Sequence, residues 1–432
     1  MKKPNIWQRL GPGILLAATS IGASHLVLSP QAGALFGFDL LWLILAAHLF
    51  KYPAFEFGPR YAAATGKSLL AGYARVPGPK NWPLFLFIGS TVLQGIGVLA
   101  GVVNISGCVL ATWITDPAAA LVGPLSATEV FSVAVLATVL TLLFTGGFSL
   151  LDNVNKVMMA GLTVATIMAF VPVAPEPAQL THFVAPTVPD GSIVLIAAIL
   201  GWMPTGIDVS VWHSFWTLEK LSRLNVGEPG GDREGIPARL KISLADMRTG
   251  YLLSLLTGLM FISIGAAHLT GMGAELKGVQ FAEAISTAYT SIFGRWMYHV
   301  FMLTAFFAMF STSYTVIDGF SRAFSEGLAV IAPSLSSNRA RTRAYRIFAA
   351  ASGVCAAATL VFAGNPVTLV LAVSLVSLAI APILYGLNIY CVRNHIEDQK
   401  MRPAAITVVV GWIGIAFMIV ALGVTAYVKL WM

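Results

Sequence analysis

Long apolar segments constrain the fold of this chain more than any motif does. A helix needs about 20 consecutive apolar residues to cross the hydrocarbon core of a bilayer. Eleven such stretches follow one another along the 432 residues. The predicted spans are residues 11–36, 38–63, 83–112, 129–147, 157–174, 191–216, 249–269, 296–330, 346–363, 366–392 and 405–428. The chain is therefore predicted to be an all-helical protein embedded in the lipid bilayer.

Composition excludes the other broad classes of protein. Hydrophobic residues make up 57% of the chain and charged residues 10%, against about 25% charged residues in an average soluble domain. Disorder requires the opposite balance, with low hydrophobicity and high net charge. The three cysteines are scattered and form neither a disulfide framework nor a metal-binding pair. The sequence contains no nucleotide-binding loop or catalytic triad, so we expect neither a primary pump, nor an enzyme, nor a cofactor.

The distribution of basic residues predicts the orientation. With eleven spans, all but three of the 26 lysines and arginines fall on one side; Lys277, Arg295 and Lys429 lie opposite. The positive-inside rule then places the N-terminus in the cytoplasm and the C-terminus outside the plasma (inner) membrane. The net charge of +7 thus reflects cytoplasmic loops, and we expect no nucleic-acid partner. We also predict no cleavable signal peptide, an amphipathic surface stretch at 279–293 and a longest hydrophilic loop at 217–248.

Two spans contain residues that interrupt a helix. The first span carries Thr19-Ser20-Ile21-Gly22-Ala23-Ser24-His25, and the sixth carries Gly201-Trp202-Met203-Pro204-Thr205-Gly206-Ile207-Asp208. Proline removes a backbone hydrogen bond, and glycine tolerates unwinding. Interrupted helices at matching positions are typical of transporters built from inverted repeats, which bind substrate between the breaks near the bilayer midplane. The alternative is a simple proline kink together with a glycine packing notch.

Several segments resemble the Nramp divalent-metal transporters. They are Leu10-Gly11-Pro12-Gly13, Gln31-Ala32-Gly33-Ala34, Leu40-Leu41-Trp42, Ala64-Thr65-Gly66-Lys67 and the pair His213-Ser214. The resemblance implies a LeuT-type fold with a five-plus-five inverted repeat and an eleventh helix. It implies one transmembrane domain over 1–432, with repeat one at about 11–174, repeat two at about 191–392 and the extra helix at about 405–428.

The chain departs from that family at the residues that bind metal. The family carries Asp-Pro-Gly-Asn at the helix-one break, where this chain has Gly22-Ala23-Ser24-His25. The helix-six motif of the family is Met-Pro-His. Spacing from His213 places Gly206 and Asp208 at the positions of its methionine and histidine, although Met203-Pro204 remains as a dipeptide. Thr91-Val92-Leu93-Gln94-Gly95 occupies the stretch where the family has acidic residues on helix three. We therefore predict a retained transporter scaffold without the metal site.

The residues at the breaks suit a small anion better than a metal ion. The N-termini of the second half-helices favour negative charge, and hydroxyl groups with His25 add hydrogen-bond donors. Bicarbonate is the leading candidate substrate. The predicted substrate-binding residues are Ser20, Gly22, Ala23, Ser24, His25, Pro204, Thr205 and Gly206. Asp208 and His213 are assigned to coupling or charge balance. Asp208 could hold sodium or a proton, pair with His25 or His213, or cap the second half of helix six.

Other readings remain open from the sequence. The first is a transporter of divalent manganese or magnesium, with a proton as a candidate coupling ion. A channel and a non-transporting sensor with the same fold are alternatives from other functional classes. Glu56 with Arg60, and Asp318 with Arg322, are each spaced four apart and predict ion pairs on one helix face; a gating role is the alternative for the first pair. We predict a monomeric transport unit.

Overall fold

The computed structural model describes residues 10–114, 121–122, 125–224, 235–270, 286, 290, 294–362 and 366–431. Helices make up nearly all of its regular structure. They are α1 Pro12–Ser20, α2 Ser29–Phe36, α3 Leu41–Thr65, α4 Leu69–Tyr73, α5 Trp82–Ile114, α6 Ala127–Phe170, α7 Ile193–Trp202, α8 Val209–Arg223, α9 Gly235–His268, α10 Trp296–Ile331, α11 Asn338–Phe362, α12 Pro366–Asn394 and α13 Ala405–Trp431. A π-helical turn at Ser24–Leu28 joins α1 to α2. Two short antiparallel strands, β1 Leu121–Val122 and β2 Leu125–Ser126, precede α6.

Six helices in the described part of the chain are long and apolar enough to cross a membrane, namely those corresponding to α5, α6, α9, α10, α12 and α13. The bent pair Pro12–Ser20 and Ser24–Phe36 would be a seventh, with an angle of 40° between its halves. The predicted second and ninth spans coincide with α3 and α11, which carry several charged residues. A multi-pass membrane protein is confirmed, and the count of eleven spans stays a prediction.

Both predicted interruptions are present. Helix one stops at Ser20 and resumes in the π-helical turn, and helix six is unwound between Trp202 and Val209. We refer to these as the helix-one break and the helix-six break. Each falls on the glycine- or proline-containing stretch that predicted it, because these residues lower the cost of leaving the helical conformation.

Two predicted boundaries were wrong. Spans 129–147 and 157–174 are not separated by a loop, because α6 is helical from Ala127 to Phe170 apart from Gly147, whose φ is 58°. Glycine adopts this left-handed conformation readily, so the chain kinks there and the helix resumes at once.

The hydrophilic stretch 217–248 is also largely helical, since α8 runs to Arg223 and α9 starts at Gly235. An ion pair of 2.9 Å between Glu219 and Arg223 supports the end of α8. The predicted amphipathic stretch 279–293 falls outside the described residues, apart from Ser286 and Thr290.

The interrupted helix one packs along α9 through glycines. A Cβ at Gly13 would collide with the Asp246 carbonyl, and one at Gly250 would collide with the Gly13 carbonyl. Gly33 and Gly265 make the same kind of close approach farther along the two helices. Small residues let membrane helices approach until backbone touches backbone. Both halves of helix one therefore pack against the same helix, α9.

Polar groups join four helices near the N-terminal end of α1. Asp246 of α9 accepts hydrogen bonds from the Gly11 and Gly13 N–H groups at 2.9 and 2.8 Å. Lys220 of α8 donates to the Leu10 carbonyl at 2.9 Å and contacts Asp152 of α6 at 3.2 Å. Asp246 thus serves α1 as an N-terminal cap supplied by a distant part of the chain.

Candidate functional site

The helix-one break is held against α10. The Thr312 hydroxyl of α10 lies 2.8 Å from the Ala18 carbonyl in the last turn of α1. It is equally close to the Ala308 carbonyl of its own helix. A Cβ at Gly22 would collide with the Thr312 side chain. Glycine at position 22 therefore lets the break approach α10, and an aspartate at this position would not fit without movement of the backbone.

The helix-six break leaves backbone carbonyls without their helical partners. In a continuous helix the Gly201 carbonyl would accept from the Thr205 N–H, and the Thr205 carbonyl from the Val209 N–H. Instead, the Lys51 ammonium of α3 lies 3.2 Å from each of these two carbonyl oxygens. Lys51 is only 1% exposed. The unwound segment is thus satisfied by a buried positive charge from another helix.

The two breaks face a common cavity, which we call the central cavity. Its volume is about 40 Å³, which is room for about three water molecules. Helices α5 and α10 supply its other walls. It is lined by Thr19, Ala23, Ser24, Gln94, Val98, Val102, Trp202, Thr205, Gly206, Asp208, Val209, Trp212, Thr312, Val316 and Phe320. The size and the location between the breaks suit a small ion or a small polar molecule.

The structure brings together only part of the predicted binding set. Ala23, Ser24, Thr205 and Gly206 line the central cavity, together with Asp208. The Ser24 hydroxyl lies 3.5 Å from the Pro204 carbonyl and so connects the two breaks. Ser20, Gly22, Pro204, His25 and His213 belong to the same segments but not to the lining.

His25 lies behind the wall of the cavity. Its Nε2 is 2.9 Å from the Ser254 carbonyl of α9, and its Nδ1 is 2.9 Å from the Ser24 hydroxyl. The Ser254 hydroxyl lies 3.0 Å from His25 Nε2 and 3.1 Å from His48 Nε2. The imidazole therefore joins helix one to α9 in this conformation, away from the position where it was expected to meet substrate.

Asp208 and His213 differ in their surroundings. Asp208 occupies the N-cap position of α8, but its side chain makes no capping hydrogen bond there. It lies over Gly206, where an added Cβ would meet its Oδ1. Lys51 is near enough to attract this carboxylate electrostatically, without a direct ion pair between the two described side chains. His213 is fully buried, and both of its ring nitrogens lack a hydrogen-bond partner within the described residues.

Sequence reasoning missed contributions from four helices, α3, α5, α8 and α10. It assigned no role to Lys51, Gln94, Trp212 or Thr312. Lys51 carried a usable signal, since an ionisable residue within an apolar span marks a functional site by default. The other three carry no such signal, and only the packing of α5, α8 and α10 brings them to the cavity.

Both predicted ion pairs on helix faces are present. Arg60 Nη2 lies 2.6 Å from Glu56 Oε1, and Arg60 also donates to the Met401 carbonyl at 2.8 Å. Arg322 Nε lies 2.8 Å from Asp318 Oδ2. Asp318 also accepts from the Trp216 indole at 2.9 Å and the Tyr345 hydroxyl at 3.0 Å. These pairs join helices outside the central cavity.

Comparison with protein families and known sequences gives a consistent result. The family described as natural resistance-associated macrophage protein-like (Nramp) matches residues 13–429. The uncharacterized protein PM0681 of Pasteurella multocida is 30% identical over 353 residues, covering 80% of this chain and 76% of that protein. The divalent metal cation transporter MntH of Chromohalobacter salexigens is 26% identical over 205 residues, which is 46% of this chain and 45% of MntH.

Solved structures show the same architecture. A manganese transporter of Eremococcus coleocola superposes with a TM-score of 0.58 at 15% identity, covering 99% of this chain and 96% of that one. The nucleobase-cation-symport-1 family transporter MHP1 superposes with a TM-score of 0.60 at 16% identity, covering 97% and 93% of the two chains. The LeuT-type fold is thereby confirmed.

Proposed function

Because this chain is a transporter of the Nramp family, matched from residue 13 to residue 429, we propose that it moves a small monovalent oxyanion, with bicarbonate as the first candidate. Transport proceeds by alternating access, and the substrate binds in the central cavity between the two breaks. We place this transporter in the plasma (inner) membrane with its N-terminus in the cytoplasm.

One buried donor carries the proposal for an anion. Trp212 lines the central cavity, and its indole Nε1 is buried without a hydrogen-bond partner in the described part of the chain. An indole N–H can only donate, and leaving a buried donor unpaired costs about 1–3 kcal/mol. A ligand that accepts a hydrogen bond from Trp212 removes this cost. The Gln94 amide, which donates to the Ser90 hydroxyl at 3.1 Å, has a second N–H for the same ligand.

The charges around the cavity are balanced before substrate arrives. Asp208 is the one acidic residue among the described residues of the lining, and the Lys51 ammonium lies behind the same break. A divalent cation would face this ammonium across a low-dielectric site, where like charges repel strongly. A singly charged anion instead gains from the N-terminal end of α8, which begins at Val209 in the lining.

A divalent metal is the second candidate. The relatives named as a divalent metal cation transporter and a manganese transporter favour it. Under this alternative, Asp208, the Met203 thioether and carbonyls of the breaks would replace the aspartate and asparagine of the family motif, with proton coupling as a further part of the alternative.

Transport by the purified protein in liposomes separates the two candidates. One internal dye reports manganese and another reports the alkalinisation that bicarbonate entry causes. We expect alkalinisation without manganese entry. Trp212→Phe, which keeps an aromatic ring but loses the N–H, should lower the anion flux about tenfold or more. Trp412→Phe, at an exposed position on α13, is the matched control. Manganese entry without alkalinisation would overturn the anion proposal in favour of the metal.

A further inference from the structure

The Lys51 ammonium occupies an oxygen-rich position at the helix-six break. Its Nζ lies 3.2 Å from both the Gly201 and the Thr205 carbonyl oxygens. The Val209 N–H, which would pair with the Thr205 carbonyl in a continuous helix, donates instead to the Gly206 carbonyl at 3.2 Å. The Thr205 carbonyl therefore has Lys51 as its partner, and the Gly201 carbonyl has Lys51 together with the more distant Ser377 hydroxyl.

Two further oxygen groups lie near the same break. The Ser377 hydroxyl of α12 lies 3.5 Å from the Gly201 carbonyl. A Cβ at Gly206 would meet both the Asp208 carboxylate and the Ser377 hydroxyl, so these two groups are neighbours. Without Lys51, the two carbonyl oxygens would lose their cation, with the Ser377 hydroxyl beside the Gly201 carbonyl and the Asp208 carboxylate near enough to attract a positive charge. Carbonyls of unwound helices with a carboxylate are the oxygen donors that transporters of this architecture use for a monovalent cation.

We propose that Lys51 is a tethered cation, which fills a monovalent-cation site at the helix-six break. The transporter therefore requires no free sodium or potassium ion at this position, because its own side chain supplies the charge that stabilises the unwound segment. Replacing Lys51 by a small neutral residue should open a site that accepts a free monovalent cation. The inference depends on the transporter fold and on neither candidate substrate.

Thermal stability of the purified protein tests this inference without any substrate. Melting temperatures are measured in sodium chloride, methylammonium chloride and the chloride of the bulky cation N-methylglucamine at equal ionic strength. Lys51→Ala should melt about 2–4 °C higher in sodium or methylammonium than in N-methylglucamine. Wild type and Lys51→Arg should show no difference. Lys156→Ala is the matched control, because it removes a buried lysine whose partner Asp152 keeps its contact with Lys220.

Each outcome bears on the proposal. A folded Lys51→Ala variant that responds equally to all three cations would overturn it, as would a wild-type protein that is stabilised by sodium over N-methylglucamine. If Lys51→Ala is monodisperse only when prepared in sodium or methylammonium, the dependence itself supports the proposal. If it is monodisperse under no condition, the other two proteins decide. Equal melting temperatures of wild type and of Lys51→Arg in all three salts support the proposal, and stabilisation of either by sodium would overturn it. Because chloride is the same in all three salts and neither bicarbonate nor a divalent metal is present, a wrong substrate assignment cannot produce any of these results.

Discussion

At the scale of single residues, the central cavity contains two kinds of group. Some were recognisable from their chemistry in the sequence, and the positions of the others became known only from the structure. Asp208 attracted attention because a carboxylate within an apolar span is costly unless it has a use. Lys51 met the same criterion, but nothing in the sequence specifies that α3 aims it at a break some 150 residues later. His25 shows the reverse case, since this polar residue beside the break lies outside the cavity lining in the structure.

The structure places His25 outside the cavity lining. We therefore expect a mutation of His25 to affect stability, whereas its position in the sequence suggested an effect on substrate binding. His25→Ala removes the hydrogen bonds to Ser254 and Ser24 and should lower stability by about 1–3 kcal/mol. The KM for transport should change by less than about twofold, because the imidazole does not line the cavity. Melting temperature and uptake kinetics measure the two effects separately. A large rise in KM with unchanged stability would place His25 at the substrate after all.

At the scale of helices, the breaks were predictable because proline and glycine act locally. The sequence could not specify how the broken segments are held, since each depends on a contact from far along the chain. The α1 N-terminus is capped by Asp246, 235 residues from Gly11. The helix-one break rests on Thr312, 294 residues from Ala18. The kink of α6 at Gly147 was also missed, because a single glycine in an apolar run does not distinguish a kink from a loop.

The close approach at Gly22 makes a prediction about the first break. Gly22→Ala forces a methyl group against the Thr312 side chain, and overpacking of this kind costs about 1–3 kcal/mol. Gly89→Ala is the matched control, because an added Cβ on that helical glycine meets nothing within 4 Å. Melting temperatures of the purified variants should fall for the first and stay level or rise for the second. Trimming the neighbour in Gly22→Ala/Thr312→Ala should recover part of the loss. Equal melting temperatures for the two single variants would show that the break is looser than described.

At the scale of the whole molecule, the apolar spans and basic loops were enough to predict a multi-pass helical protein, and the resemblance added the fold. Structure and family comparison confirm both. The repeat boundaries and the orientation remain predictions. The selection of substrate is the least predictable property, since under the proposed function it depends on one carboxylate, one ammonium and one indole from different helices.

Orientation can be tested by cysteine labelling in a Cys355→Ser background, because Cys108 and Cys391 are buried. Ala178 and Ser337 are both exposed and lie in connections between helices. The positive-inside rule places the first outside and the second in the cytoplasm. An impermeant maleimide should label Ala178→Cys in intact cells and Ser337→Cys only after permeabilisation. The opposite pattern would invert the proposed orientation.

We propose that the cavity between the two breaks selects substrate by its charge balance. Ala23 lines that cavity, so Ala23→Asp adds a carboxylate to the site, and Ala23→Asn adds a neutral group of the same size. The most direct test compares bicarbonate-driven alkalinisation and manganese entry for these two variants in liposomes. We predict that Ala23→Asp loses anion transport by about tenfold or more relative to Ala23→Asn, since one buried like charge costs over 1.4 kcal/mol. Equal anion transport by the two variants would show that the substrate does not bind between the breaks.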